Sequence, residues 1–164
     1  MKFPGREIAA EEMKSGAVEV VKDSVGILYE WDTGEAMGRF LAELKKGRIF
    51  GRKCRACGRI LVPPRAFCES DFIPTDEWVR VKETGRVKTY SVSYIKADAS
   101  RTRRPTIVAV IELDGASEGM GFLHILRRVR PDGVKIGMRV KAVWKPREKR
   151  VGSITDIAYF EPLR

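Results

Sequence analysis

The chain has 164 residues, a formal net charge of +10 and 43% hydrophobic residues. This length suffices for one ordinary domain with a small module, and the excess of positive charge predicts an anionic partner such as nucleic acid, a phosphorylated cofactor or an acidic protein face. No stretch approaches membrane-spanning length, and the N-terminal sequence lacks the apolar segment of a secretory signal. With three cysteines and no export signal, we expect a cytoplasmic protein without membrane association.

The amide side chains give a second compositional signal. Asparagine and glutamine are both absent, whereas lysine, arginine and glutamate are abundant. Because amides deamidate at high temperature and ion-pair networks gain value there, this composition indicates a thermophilic protein. Part of the high charge is then an adaptation to temperature.

The first 46 residues are predicted to form an arm and a helical segment. Arg6–Ser15 favours a short polar helix that ends at Gly16, while Ala17–Trp31 fits either an extended arm or a short helix followed by a strand. Glu35–Lys46 is the clearest helix, since four apolar residues recur on one face with helical spacing. These residues are Met37, Phe40, Leu41 and Leu44. The stripe is most simply core, packed on the following module or on a neighbouring subunit.

Residues 47–75 hold all three cysteines, in the pattern C-x₂-C-x₁₀-C-x₂-D. The four residues of the pattern are Cys54, Cys57, Cys68 and Asp71. Two such steps about a dozen residues apart are what a zinc ribbon needs, because each step lets one tight turn aim two ligands at one ion. Gly58 can adopt the left-handed backbone that closes the first turn. The flanking stretches Arg48–Arg52 and Arg59–Val62 are short and β-rich, as in hairpins.

A carboxylate stands where a regular ribbon has its fourth cysteine. A carboxylate oxygen binds zinc at a bond length close to that of a histidine nitrogen, so Asp71 is a chemically sound fourth ligand, although a weaker and more pH-sensitive one. We expect one structural zinc ion per chain on these four residues. A metal-free ribbon and a disulfide remain as alternatives. The only histidine, His124, lies in a distant apolar run, and we expect it in the core or at a strand edge.

Residues 76–164 show the alternation of β-strands. Trp78–Val81 opens this region, and five further strands follow, separated by turn signals. They are Gly85–Tyr94, Thr106–Leu113, Gly121–Arg128, Met138–Lys145 and Ser153–Phe160. Five short strands with no room for long helices predict a small closed β-barrel, with an OB-fold as the first candidate and an SH3-like barrel as the second. The predicted fold class is therefore a small α and mostly β protein.

The chain resembles the zinc-ribbon/OB-fold family first catalogued as a domain of unknown function, over about residues 31–160. The resemblance rests on the order of four stretches: GEAMGRFLAELKKGRI, GRKCRACGR, VPPRAFC and IGMRVK. It implies a rubredoxin-like zinc ribbon, with Cys54, Cys57 and Cys68 as zinc ligands, followed by an OB-fold. Asp71 departs from the family's four cysteines, which puts metal occupancy in question and leaves the fold unaffected.

The same resemblance implies an accessory role beside acyl-CoA enzymes. Members of the family are partners of thiolase-like enzymes. In archaea such a protein bridges acetoacetyl-CoA thiolase and 3-hydroxy-3-methylglutaryl-CoA synthase, as in the mevalonate pathway. In bacteria, relatives assist steroid side-chain hydratases and aldolases.

No group of residues in the sequence predicts catalysis. There is no serine–histidine–aspartate pattern, no cysteine with a nearby histidine and no glycine-rich phosphate loop. We therefore predict a non-catalytic scaffold that docks on thiolase-like enzymes and helps to hold or channel acyl-CoA. An independent enzyme is the weakest alternative.

Four arginines are candidates for contacting the phosphates or the arm of coenzyme A: Arg65, Arg101, Arg103 and Arg104. Guanidinium forks match phosphate oxygens, and the alternative for each is a solvated surface arginine. Arg65 follows Pro63-Pro64 between ribbon and barrel, and the other three lie in a predicted loop, Lys96–Pro105. Helix Glu35–Lys46 and the arm Ala17–Trp31 are the candidate surfaces for docking a protein.

The competing function is nucleic-acid binding, since zinc ribbons and OB-folds both serve that purpose and the chain is basic. OB surfaces that stack bases need aromatic rings on the central strands, but Thr106–Leu113 has none and Gly121–Arg128 has only one. Tyr90 and Tyr94 share a face, although Val92 between them fits core packing equally well. We rank the scaffold first and expect nucleic-acid binding to be weak, sequence-blind and salt-sensitive.

Overall fold

The computed structural model describes residues 8–19, 26 and 30–163. Within them lie two α-helices, α1 (Ala10–Ser15) and α2 (Gly34–Lys45), and eight β-strands. The strands are β1 (Ile49–Lys53), β2 (Ile60–Leu61), β3 (Glu77–Val81), β4 (Thr84–Ile95), β5 (Arg101–Leu113), β6 (Gly121–Leu126), β7 (Arg139–Trp144) and β8 (Ile157–Pro162). Contacts divide the chain into two units, residues 1–32 and 33–164.

The first unit contains helix α1. The helix ends at Gly16, whose φ of 78° is the left-handed conformation expected there. At the other end, the Glu12 carboxylate accepts a hydrogen bond of 3.0 Å from the backbone nitrogen of Ala9. The start of the predicted helix Arg6–Ser15 and much of the arm Ala17–Trp31 lie outside the described residues. No helix in the described part of the chain is long and apolar enough to cross a membrane.

Helix α2 packs its apolar face into the interior of the second unit. Phe40 and Leu44 are fully buried, and Met37 and Leu41 pack against the same core. The four residues of the predicted apolar stripe therefore face the core, as expected. The apolar face packs within this chain, on β1 and the turn Ile154–Asp156, and not on a neighbouring subunit. Docking of a partner by the exposed face of this helix stays a prediction.

The ribbon is a three-stranded antiparallel sheet in the order β2-β1-β3. Strand β2 has only two residues, whereas β3 pairs with β1 from Ile49 opposite Val81 to Lys53 opposite Glu77. The stretch Trp78–Val81, expected at the start of the barrel region, thus hydrogen-bonds within the ribbon sheet. The physical reason is that β1 has a second edge, whose backbone groups β3 satisfies. The boundary at residues 75 and 76 stays a prediction.

Five strands close into a barrel in the order β4-β5-β6-β8-β7, with β7 paired back to β4. Neighbours are antiparallel except β6 and β8, which run parallel where Leu126 lies opposite Phe160. The fully buried side chains of the interior include Val87, Ala109, Ile111, Val140 and Phe160. A mostly β architecture of zinc ribbon and five-stranded OB-fold is therefore confirmed.

The hairpin of β4 and β5 is longer than the sequence predicts. Lys96–Pro105 is not a loop, because β4 runs to Ile95 and β5 begins opposite it at Arg101. Only residues 96–100 form the turn, where the Asp98 carboxylate accepts a hydrogen bond of 2.9 Å from the backbone nitrogen of Ser100. The outer part of the hairpin is largely exposed, so its pairing needs no alternation of apolar residues.

The last predicted strand, Ser153–Phe160, begins later than expected. Its first residues form a 3₁₀ turn, Ile154–Asp156, and β8 follows. The carboxylate of buried Asp156 accepts hydrogen bonds of 2.7–3.1 Å from the backbone nitrogens of residues 151–153. Burial raises the pKa of Asp156, and these hydrogen bonds lower it by more. A side chain bonded to the backbone, not strand alternation, therefore sets this turn.

Candidate metal centre

The first knuckle is the turn between β1 and β2. The backbone nitrogen of Cys54 donates to the Arg59 carbonyl at 2.9 Å, and that of Gly58 donates to the Cys54 carbonyl at 2.9 Å. Gly58 has a φ of 72°, a conformation that glycine adopts without a steric penalty. The predicted role of this glycine is confirmed.

The second knuckle repeats the same hydrogen bonds fourteen residues later in the sequence. The backbone nitrogen of Cys68 donates to the Ile73 carbonyl, and that of Phe72 donates to the Cys68 carbonyl, both at 2.9 Å. Phe72 occupies the position equivalent to Gly58, with a φ of 53°. Sequence reasoning missed this residue, although its place four residues after Cys68 matches that of Gly58 after Cys54.

The two knuckles bring four ligand atoms together within 4.8 Å of one another. The Cys54 and Cys68 sulfurs lie 3.1 and 3.2 Å from the Asp71 carboxylate, and the Cys57 and Cys68 sulfurs lie 3.8 Å apart. Ligands placed tetrahedrally around zinc at about 2.3 Å would put two sulfurs about 3.8 Å apart. The spacing and the donor set of three thiols and one carboxylate are therefore compatible with zinc binding.

Burial and charge differ among these ligands. Cys54 and Cys68 are fully buried, Asp71 is half-buried and Cys57 is exposed. Without a metal, the nearby Asp71 carboxylate raises the pKa of the Cys57 thiol to about 12, and the thiol donors lower the pKa of Asp71. Zinc must displace the thiol protons to bind, so its affinity falls in acid. His124 is not among these ligands: it lies half-buried in β6, with its ring edge-on to Phe160.

Arg65 lies at the second knuckle, where it forms an ion pair with Glu69 at 3.0 Å. The same carboxylate accepts a hydrogen bond of 2.8 Å from Arg59. The cavity of about 440 Å³ between the ribbon sheet and the start of the barrel is lined instead by other basic residues, namely Arg48, Arg80 and Lys82. A role for Arg65 in contacting coenzyme A stays a prediction.

The other three predicted anion contacts lie on the exposed first residues of β5. Arg101, Arg103 and Arg104 have no carboxylate within 4 Å in the part of the chain that the structure describes. Their contact with coenzyme A also stays a prediction. Sequence reasoning missed two further arginines that line a cavity, Arg127 and Arg128. Their only signal in the sequence is that they are adjacent and directly follow an apolar strand.

Fold and site together define a zinc-ribbon/OB-fold protein, and two family models agree. Residues 41–75 match the rubredoxin-like zinc ribbon domain of ChsH2, and residues 78–145 match the C-terminal OB-fold domain of ChsH2. A DUF35 domain-containing scaffold protein from Methanocaldococcus jannaschii is 31% identical over 119 residues, which are 70% of this chain and 82% of the relative. Another from Methanothermobacter thermautotrophicus is 30% identical over 117 residues, or 70% and 86%. The chain belongs to the DUF35 family.

Two solved structures are similar as well. A DUF35 family protein of unknown function from Sulfolobus solfataricus is 32% identical with a TM-score of 0.58, over 68% of this chain and 79% of the other. The Ltp2-ChsH2(DUF35) aldolase is 23% identical with a TM-score of 0.59, over 81% of this chain and 98% of the matched chain. At that identity the second structure shows the fold alone.

Proposed function

We propose that this chain is a non-catalytic scaffold subunit that docks on thiolase-like enzymes and helps to hold or channel acyl-CoA. The observation that carries the proposal is the name of two relatives, each at least 30% identical over 70% of the chain: both are scaffold proteins. A structure with the same fold is named for an aldolase together with a DUF35 component, which supports an enzyme as the partner. The finer assignment is a bridge between acetoacetyl-CoA thiolase and 3-hydroxy-3-methylglutaryl-CoA synthase.

Within this function the metal is structural. Cys54, Cys57, Cys68 and Asp71 would supply four protein ligands, which would complete a tetrahedral zinc site and leave no position for a substrate. One zinc ion per chain would fix the two knuckles, while the chain itself carries out no reaction.

A bridge suits the chemistry of thiolases. Condensation of two acetyl-CoA molecules is thermodynamically uphill, so an intermediate handed directly to the next enzyme is consumed before it reverts. Such a bridge needs docking surfaces and a place for the acyl-CoA, but no catalytic group. The apolar face of α2 is buried in the core and does not provide a docking surface.

The test is reconstitution from purified parts. The zinc-loaded chain, mixed with the thiolase and the synthase from its own source, should co-elute with both in one complex on size exclusion. Alone, it should turn over no acyl-CoA ester. A double change of Met37→Glu and Phe40→Glu should abolish the complex by unfolding the chain, which circular dichroism would record. The proposal is wrong if the folded chain associates with neither enzyme.

Nucleic-acid binding remains the second candidate because of one observation. Tyr90 and Tyr94 are 38% and 50% exposed on β4, so both rings are accessible for stacking. Base stacking on an OB-fold would use such rings together with the nearby arginines. We expect only weak binding to single strands that disappears with added salt. Nanomolar binding at physiological salt that Tyr90→Ala and Tyr94→Ala remove would reverse the ranking.

A further inference from the structure

A cavity of about 460 Å³ opens at one end of the barrel, where β6 ends and β5 passes into its exposed half. Its floor is formed by the apolar side chains of Ile107 and Leu126, which are 6% and 2% exposed. Pro105, Val129 and Tyr159 form the walls. Two consecutive arginines, Arg127 and Arg128, complete the lining. The cavity therefore combines an apolar floor with two positively charged side chains at its rim.

Both arginines lie over the same ring. The guanidinium carbons of Arg127 and Arg128 are 5.7 and 5.8 Å from the ring centroid of Tyr159. Successive side chains of a strand point to opposite faces, so a regular continuation of β6 would separate them. Arg128 instead has a φ of 58°, a conformation that is uncommon for residues other than glycine, asparagine and aspartate. This backbone brings both guanidinium groups to the Tyr159 ring.

The positive charge at this cavity is only partly neutralised. Arg128 forms an ion pair with Glu161 at 3.1 Å. Arg127 has no carboxylate within 4 Å among residues 8–19, 26 and 30–163. Three more arginines without a carboxylate partner in that part of the chain lie on β5 before Pro105, outside the cavity lining: Arg101, Arg103 and Arg104. A cation that lies beside an apolar floor and lacks a counter-charge favours an anionic ligand with an apolar portion.

We propose that this cavity binds a phosphorylated nucleotide. Arg127 and Arg128 bind the phosphate through their guanidinium groups, because these planar forks match phosphate oxygens. The base lies against Pro105 and the floor residues Ile107 and Leu126. The volume falls within the range of about 300–1,000 Å³ typical of small-molecule sites. Two sources share this chemistry, a free nucleotide such as ADP and the nucleotide end of coenzyme A. The proposal rests on the proposed function only in the choice of coenzyme A.

The test is calorimetric titration of the zinc-loaded chain with ADP, coenzyme A and adenosine. ADP and coenzyme A should bind at least tenfold more tightly than adenosine, which lacks the phosphate. Arg127→Ala should weaken both by at least tenfold. Arg128→Gly should do the same while accepting the left-handed backbone without strain. Arg147→Ala, which removes the same charge from an exposed residue outside the cavity lining, is the control and should leave binding unchanged.

The outcomes distinguish a free nucleotide from coenzyme A as the ligand, and they distinguish the nucleotide site from the scaffold function. Equal affinity for ADP and coenzyme A assigns the site to nucleotides in general, and tenfold preference for coenzyme A assigns it to that cofactor. Three results would overturn the nucleotide site. Neither ADP nor coenzyme A binds; or the binding is unchanged in folded Arg127→Ala and Arg128→Gly proteins; or the chain binds only single-stranded nucleic acid. Co-elution of Arg127→Ala with the partner enzymes, measured in parallel, tells whether the scaffold proposal stands independently.

Discussion

The ribbon and the barrel hold their strands together by different means. The barrel closes on itself, and its interior is filled by apolar side chains from all five strands. At the tip of the ribbon the two buried cysteines, Cys54 and Cys68, take the place of such a core, and neither belongs to the apolar cluster. The ribbon tip therefore has a cluster of four ligand atoms where the barrel has apolar packing along its whole length.

The two knuckles of the ribbon extend this comparison to single residues. Both have the same pair of backbone hydrogen bonds. The first has Cys57 and Gly58 at positions where the second has Asp71 and Phe72. The backbone thus stays constant while the ligand chemistry and the steric fit change. The second knuckle is the weaker half of the site, because a carboxylate replaces a thiolate and a residue with a β-carbon replaces glycine.

Loss of one thiolate should have the largest effect and should fall on the ribbon alone. Cys57→Ser removes one of four ligands, and we expect zinc affinity to fall by at least ~100-fold, since structural zinc contributes on the order of 10 kcal/mol. Cys57 lies in the turn between β1 and β2, outside the strands of the barrel, so amide exchange in β4–β8 should remain protected. Metal analysis of protein purified without chelator should give about one zinc per wild-type chain.

Asp71→Cys is the matched change in the other direction. A fourth thiolate should bind zinc more tightly than the carboxylate and should hold it to lower pH. Competition with a chelator at two pH values measures both effects. A wild-type protein that folds with an ordered ribbon and contains no zinc would contradict the metal assignment.

Gly121→Ala should have the next largest effect and should fall on the barrel. A β-carbon at Gly121 would lie 1.8 Å from the carbonyl oxygen of Ile111, a backbone atom that cannot move without breaking the pairing of β5 and β6. We expect a loss of about 3 kcal/mol or more in the free energy of unfolding. Gly133→Ala is the control, since its β-carbon meets only Val129 at 3.4 Å.

Zinc affinity should distinguish this change from that at Cys57. If Gly121→Ala leaves a folded fraction, that fraction should bind zinc as the wild type does, because the glycine lies on β6 and supplies none of the four ligands. Equal melting curves for Gly121→Ala and wild type would show that the strands separate easily, contrary to a tightly packed barrel.

The same contrast explains how much the sequence predicts. Ribbon ligands follow from spacing within one short stretch, so Cys54, Cys57, Cys68 and Asp71 are predicted individually. Barrel strands follow from alternation, which gives their number but not their ends or partners. The pairing of β3 with β1 depends on residues distant in sequence. The extension of β5 to Arg101 is local, since Arg101 pairs with Ile95, but these exposed residues show no apolar alternation that would reveal it. An apolar stripe shows that a helix face is buried but not what covers it, so the sequence leaves open both the following module and a neighbouring subunit, and the structure shows that β1 and the turn Ile154–Asp156 cover it.

Acid should weaken the closure of the barrel through one carboxylate, Asp114. Asp114 joins the strands that close the barrel, through hydrogen bonds to Arg139 on β7 at 2.5 and 2.6 Å and to Thr84 on β4 at 2.5 Å. The Arg139 guanidinium is the main cause that lowers the pKa of Asp114 to about 2. A lowered pKa means that the stabilisation is complete above about pH 4 and is lost as the pH falls towards 2.

Asp114→Asn should therefore lower the free energy of unfolding at pH 6 by about 2 kcal/mol, and the difference from wild type should shrink near pH 2. Denaturant unfolding at the two pH values measures it. The exposed pair of Arg130 and Asp132 is the control, and Asp132→Asn should change stability little at either pH. A difference that is constant with pH would exclude the Asp114 charge as its cause.

Phe72→Gly should have the smallest effect and should make the second knuckle more like the first. The φ of 53° at Phe72 is unfavourable for a residue with a β-carbon by ~1–2 kcal/mol, and glycine removes this strain. Glycine also makes the unfolded chain more flexible, which opposes the gain by roughly 0.5–1 kcal/mol. Phe72 is 82% exposed, so little packing is lost. We expect a net gain of about 0.5–1 kcal/mol in the free energy of unfolding of the zinc-loaded protein.

The matched control is Gly58→Ala in the first knuckle, which introduces the strain that Phe72→Gly removes. It should lower the free energy of unfolding by about 1 kcal/mol, since a β-carbon at Gly58 meets no atom within 4 Å and only the backbone conformation is at issue. Opposite signs for the two variants would show that the knuckles share one backbone requirement. A loss of stability in Phe72→Gly would show instead that the exposed ring itself stabilises the second knuckle.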